Sequence, residues 1–179
     1  MLDMRKCAFT GHRPQKLPFG SNESDERCIT LKHCLHDLIL RLIIERNVRH
    51  FISGMAIGTD MYAAEIILDL KKDYPDLILE AAIPCLSQNE KWTADQRKRY
   101  ADLLSKCDKQ TLIQKEYTDD CMMKRNYYMV DEADYLIAVW DGRPSGTGKT
   151  VNYAIKQNKP ILAIDPKTMN VTCRRPETL

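Results

Sequence analysis

Residues 53–60 read SGMAIGTD. They follow the apolar pair Phe51-Ile52 and open an apolar-periodic segment that begins near Met61. The local order is therefore strand, glycine loop, helix. Gly54 and Gly58 let the chain turn sharply and bring its backbone close to a ligand. Thr59 or Asp60 is placed to cap the following helix. First-turn N–H groups and the helix dipole then favour an anion such as phosphate, held among Ser53, Gly54, Met55, Gly58, Thr59 and Asp60. A plain strand-to-helix turn fits the same spacing, so the loop has to be read with its surroundings.

Toward the amino end, residues 6–10 (KCAFT) form an apolar first strand, and Gly11-His12-Arg13-Pro14 follows it directly. That position is the carboxyl end of a strand, where open α/β sheets bind ligands. Arg13 would fork onto a phosphate and His12 would bond to a ligand or transfer a proton, although the four residues also read as a solvated basic turn. Ser24, Asp25 and Glu26 start a helix whose stripe is Leu31, Leu35, Leu38, Ile39 and Leu42, ending near Asn47. A second strand, 50–53, leads into the glycine loop.

Toward the carboxyl end, a helix over about 61–72 stops at Tyr74-Pro75, and residues 77–83 (LILEAAI) are a third strand. The next loop carries Gln88 and Trp92, and Thr93 with Gln96 has capping-box form. Trp92 either stacks on a base or seats the third helix. Residues 109–113 make a fourth strand. The helix after Asp120 bears Arg125 and Asn126, and its methionines read as packing. Residues 135–140 (YLIAVW) are the most apolar strand and so belong at or near the sheet centre. A second glycine loop, 141–150 (DGRPSGTGKT), offers Asp141, Ser145, Gly146, Thr147, Gly148 and Thr150. A helix and a last strand, 161–165, follow. Residues 166–179 show no periodicity.

Strand and helix alternate throughout, which argues for a single-domain α/β fold over 1–179. It is Rossmann-like and doubly wound, with a mostly parallel sheet and the default strand order 3-2-1-4-5-6. Both glycine loops then lie on one sheet edge, where they converge on phosphate. Two familiar nucleotide motifs fail. The end Gly148-Lys149-Thr150 suits a P-loop, but its leading glycine position is Arg143, and no G-x-G-x-x-G follows the first strand.

Composition narrows the class further. With 179 residues, 44% hydrophobic and 29% charged, the chain reads as a soluble globular protein that buries a full core. A net charge of +2 gives no overall drive toward nucleic acid. No run reaches membrane length, and the seven cysteines lack a C-x-x-C pair, so reduced thiols, a cytoplasmic location and no membrane partner are expected. Cys28, His33, Cys34 and His36 share a helix without a metal-ligand spacing, so no metal is expected.

The first glycine loop with Ala63 and Ala64 resembles that of the DprA proteins of the SLOG superfamily. Residues 10–14 (TGHRP), the loop 53–60, Pro84 with Gln88 and Trp92, Tyr117, Arg125-Asn126, Asp131, Asp134 and Gly146-Thr147 follow in order. Together they resemble the YpsA-type branch over nearly the whole chain. The resemblance implies a Rossmann-like fold and a pocket for nucleotides or nucleotide-derived molecules such as ADP-ribose. It requires no cofactor and names no reaction.

Three functions follow: binding or sensing of a small nucleotide ligand, N-glycosidic cleavage as in LOG-type phosphoribohydrolases, and single-stranded DNA binding as in DprA. The first ranks ahead. The LOG pattern G-G-x-G-T-x-x-E implies a catalytic Glu where this chain has Thr150, so turnover is not expected, and no catalytic residue is assigned. Lys91, Arg97, Lys98 and Arg99 could form a basic stripe, but they read first as a solvated helix face. Nucleic acid is therefore not the favoured partner, and a homo-oligomer is compatible with the sequence.

Overall fold

The computed structural model describes residues 4–175. Its elements run β1 (Arg5–Gly11), α1 (Glu26–Arg46), β2 (Val48–Ser53), α2 (Thr59–Leu70), β3 (Ile78–Ile83), α3 (Ala94–Lys106), β4 (Lys109–Leu112), α4 (Cys121–Glu132), β5 (Tyr135–Val139), α5 (Gly146–Lys156), β6 (Ile161–Ile164) and β7 (Val171–Arg174). Seven strands form one sheet in the order β4-β3-β2-β1-β5-β6-β7. All pairs are parallel except β6–β7. This is the doubly wound α/β class read from the sequence.

Two expectations are corrected. The fourth strand does not sit beside β1, as the order 3-2-1-4-5-6 requires; it pairs with β3 at the edge. The reason is polarity. Lys109, Gln110 and Leu112 are exposed, whereas Leu136, Ile137, Ala138 and Val139 of β5 are buried, and a parallel strand covered on both faces must be apolar. The segment after Pro166 is also not wholly irregular. It contains β7, four exposed residues on the sheet edge, which bury no face and so carry no alternation.

Helix termini follow local chemistry. The Asp25 carboxylate caps α1 by accepting from the Arg27 N–H, and Asn47 closes it in the left-handed region at φ 54. Thr93 and Gln96 make both bonds of the capping box on α3. Trp92 packs edge-on against Tyr100 with ring centroids 5.3 Å apart, so it seats the helix. The core has two layers. Leu31, Leu35, Ile39, Tyr62, Ile67 and Leu103 of α1–α3 cover one sheet face, and Met129, Val130, Val151 and Ala154 of α4 and α5 cover the other. Each fully buried aliphatic side chain contributes about 1.5–3 kcal/mol. The chain changes face between β4 and β5, which brings the β1 and β5 ends together as a crevice.

Candidate functional site

The β2–α2 loop is held by its own polar groups. Ser53 Oγ accepts from the Met55 N–H at 3.1 Å and donates to the Asp60 carbonyl at 2.9 Å. Met55 takes φ 56 with its side chain fully buried. Gly58, at φ 94, is the N-cap of α2, so neither Thr59 nor Asp60 caps the helix as the sequence suggested; both lie in its first turn. A Cβ on Gly58 would stand 3.0 Å from the His12 carbonyl oxygen, which is why the two loops close on each other. The Asp60 carboxylate, in the first turn of α2, accepts from the loop N–H of Ala56 at 3.2 Å, so a negative charge already stands beside this helix start and disfavours a bound anion. Burial raises the Asp60 pKa, against the opposing pull of Arg125, the Ala56 amide and Arg13.

A cavity of about 390 Å³ opens beside this loop, at the carboxyl end of β1 and between the starts of α4 and α5. Among the residues read from the sequence, Gly11, His12, Arg13, Asp60, Arg125, Asn126, Ser145, Gly146 and Thr147 line it. Ser53, Gly54, Met55, Gly58, Thr59, Gln88, Gly148 and Thr150 do not. They stand behind the wall: Gln88 Nε2 donates to the Gly54 carbonyl at 3.0 Å, and Thr59 Oγ1 donates to the His12 carbonyl at 3.0 Å. Thr150 is fully buried; its hydroxyl donates to the Gly146 carbonyl at 3.1 Å and accepts from Asn126 Nδ2 at 3.0 Å. Gln15, Lys16 and Met123 also line the cavity and escaped sequence reading. Gln15 and Lys16 sit on a single 3₁₀ turn after Arg13, where no periodicity marks them.

The α5 start differs from that of α2. Ser145 caps it by accepting from the Gly148 N–H at 3.0 Å, and no acidic residue occupies its first turn. A Cβ on Gly146 would meet nothing within 4 Å, so backbone faces open space there. Lys149 and Lys16 add positive charge to the walls, with Arg13 exposed nearby. Arg125 is buried at the back. Its Nη1 donates to the Gly54 carbonyl and its Nε to Asn126 Oδ1 at 2.8 Å. Burial lowers the Arg125 pKa, and Asp60 opposes that shift.

Asp141 lies in a neighbouring cavity of about 310 Å³ that shares His12, Gln15, Lys16 and Ser145 with the first. Its Oδ1 is 3.0 Å from His12 Nε2, and its Oδ2 is 3.1 Å from Lys167 and 3.3 Å from Arg143. Burial acts to raise the Asp141 pKa, but the bonds from His12, Lys167 and the Arg143 amide outweigh it and hold the carboxyl well below the usual range. Among the described residues no group of three or more His, Cys, Asp or Glu side chains is placed to hold a metal ion. No helix among them is long and apolar enough to cross a membrane. The basic run on α3 is not a free stripe: Arg99 is engaged by Glu23 and Glu65, and Arg97 by the Trp92 carbonyl.

The YspA SLOG family model, YpsA, matches residues 7–169. The SPbeta prophage-derived protein YoqJ of Bacillus subtilis (strain 168) is 34% identical over 140 residues, covering 72% of this chain and 82% of that protein. A UPF0398 protein of Bacillus cereus (strain B4264) is 30% identical over 161 residues, covering 88% and 86%. Among solved structures, DNA processing protein A (DprA) of Streptococcus pneumoniae superposes with TM-score 0.60 at 16% identity over 92% of this chain. The chain spans about half of that protein, 51% of its length. DprA of Helicobacter pylori, whose structure concerns single-stranded DNA binding, gives TM-score 0.55 at 18% identity, covering 90% of this chain and 65% of that one. At these identities the likeness is one of fold.

Proposed function

The chain belongs to the YspA SLOG family, and on that premise we propose that it binds a nucleotide or nucleotide derivative of the ADP-ribose kind in the cavity at the carboxyl end of β1. The observation that carries this reading is the contrast between the two glycine loops. The α2 start is closed over by Asp60 and the β1 loop, while the α5 start faces the cavity with open backbone at Gly146. The phosphate therefore sits on the α5 first turn, where N–H groups and the helix dipole favour it. Arg13 and Lys149 neutralise its charge, and Arg125 supplies positive potential from behind. Met122 and Met123, both half-buried on α4, give the apolar surface a base needs. We place this binding in the cytoplasm, a setting that an odd number of scattered cysteines without a C-x-x-C pair supports.

The test is ligand-induced thermal stabilisation across mononucleotides, cyclic nucleotides, NAD and ADP-ribose. A Cβ at Gly146 meets nothing within 4 Å, so Gly146→Leu, which puts bulk at the proposed phosphate position, should abolish the shift and preserve the fold. Gly54 is a poor choice for the same test. A Cβ there would stand 2.6 Å from Arg125 Nη1 and 2.8 Å from Asp60 Oδ2, disturbing packing as well as ligand. A flat response to the whole panel would sink the proposal.

A further inference from the structure

Cys85 and Cys121 come from different parts of the chain and meet beside the site. Cys85 follows Pro84 at the end of β3, and Cys121 is the first residue of α4. Their Sγ atoms are 4.0 Å apart, and both side chains are fully buried. No other pair of cysteines is in sulfur–sulfur contact among the described residues.

We propose that Cys85 and Cys121 form a reversible disulfide that fastens the first turn of α4 to the loop after β3 and so alters the neighbouring cavity. An S–S bond of ~2.05 Å requires the two sulfurs to close from 4.0 Å. At the α4 start Asp120 makes no side-chain cap bond, and the Cys121 N–H donates to the Thr118 carbonyl at 3.1 Å, so that turn moves together with the 118–120 loop. The loop after β3 is tied down, with the Leu86 N–H donating to the Lys115 carbonyl at 3.1 Å and Gln88 bonded to Gly54. Met122 and Met123 follow Cys121 directly and line the cavity, so a shift of that turn moves the wall.

The oxidant is a peroxide. One thiolate attacks the O–O bond, giving a sulfenic acid and hydroxide, which takes up the released proton as water. The second thiol attacks the sulfenic sulfur, forming S–S and expelling the second water. Two thiols lose two electrons and two protons, and one peroxide becomes two waters. A dithiol reductant reverses the bond by exchange.

The effect on the cavity rests on the nucleotide reading above; the bond itself does not. Folded protein carrying Cys173→Ser, which removes the exposed thiol, is treated with hydrogen peroxide, alkylated and digested with trypsin without reduction. The expected product is peptide 73–91 joined to peptide 116–124, lost on reduction. Oxidation that leaves these two peptides unlinked overturns the proposal, whatever the cavity binds. With ADP-ribose as the probe, the linked protein should show a smaller thermal shift than the reduced protein. Equal shifts in the two forms overturn the coupling to the cavity. A reduced protein that no nucleotide shifts overturns the nucleotide reading instead, and the linked peptide then decides the bond alone.

Discussion

The Thr59 hydroxyl donates to the carbonyl oxygen of His12 across 3.0 Å, joining the first turn of α2 to the loop after β1. This bond needs Gly11. A Cβ at Gly11 would lie 2.4 Å from Thr59 Cγ2 and 2.5 Å from its Oγ1. The glycine of the GHRP turn therefore serves close packing of two loops, and the cavity wall depends on that packing.

Gly11→Ala is expected to destabilise the fold by about 1–3 kcal/mol, the usual effect of forcing a methyl into packed space. Gly146→Ala, at an open helix start, should change stability by no more than about 1 kcal/mol. Urea unfolding of both variants measures the difference, and equal losses would contradict the packing account.

Arg125→Met should destabilise by about 1–3 kcal/mol, because it removes a buried donor to the Gly54 carbonyl and the positive charge that opposes the effect of burial on the Asp60 carboxyl. Adding Asp60→Asn should recover part of the loss. A double-mutant cycle with no coupling between the two sites would show that they act independently.

Glu80 gives a pH dependence away from the cavity. It is fully buried in β3, bonded to His50 Nε2 at 2.7 Å, Thr111 Oγ1 at 2.6 Å and Tyr128 Oη at 2.7 Å, with Lys109 Nζ at 3.2 Å. Burial alone would raise its pKa, but these four partners prevail and bring it from 4.5 down to about 2. Between those values the unfolded chain binds the extra proton, so stability rises with pH. The contribution is complete above about pH 4.5 and is lost as pH falls toward about 2. Glu80→Gln should flatten acid unfolding within that window and lower stability at neutral pH by about 1–3 kcal/mol. An unchanged acid limb in the variant would refute this.

Incubation with nucleoside monophosphates should release no free base. The LOG-type catalytic Glu position is Thr150, whose hydroxyl is buried and already bonded on both sides. An alcohol is a poor substitute for a carboxylate near an oxocarbenium-like centre. Asp119 lines the cavity, and Asp141 lies in the adjoining one. Base release at enzymatic rates, abolished by Asp119→Ala or Asp141→Ala, would assign turnover to one of these carboxylates.

Binding to single-stranded DNA at physiological salt should be weak. Net charge is +2, Arg99 is spent on Glu23 and Glu65, and backbone affinity depends on free cations that displace counterions. Tight gel-shift binding with a steep salt slope would reverse the ranking of functions.

Sequence by itself determined the alternation of elements, because each strand and helix carries its own apolar period and its own end signals. The Thr93–Gln96 capping box and the end of α1 near Asn47 are local features and were legible as such. It also identified the two glycine loops, since turn chemistry depends on residues a few places apart. Only the tertiary structure decided where the strands go. The polar β4 yielded the place beside β1 to the apolar β5, a competition between segments that no local window contains. It also decided which glycine loop is open. SGMAIGTD and PSGTGKT look alike as strings, yet Asp60, Gly58 and the β1 loop close the first, while Gly146 leaves the second facing the cavity. Whether a loop can receive a phosphate depends on what packs against it, and those atoms come from segments far away in the chain.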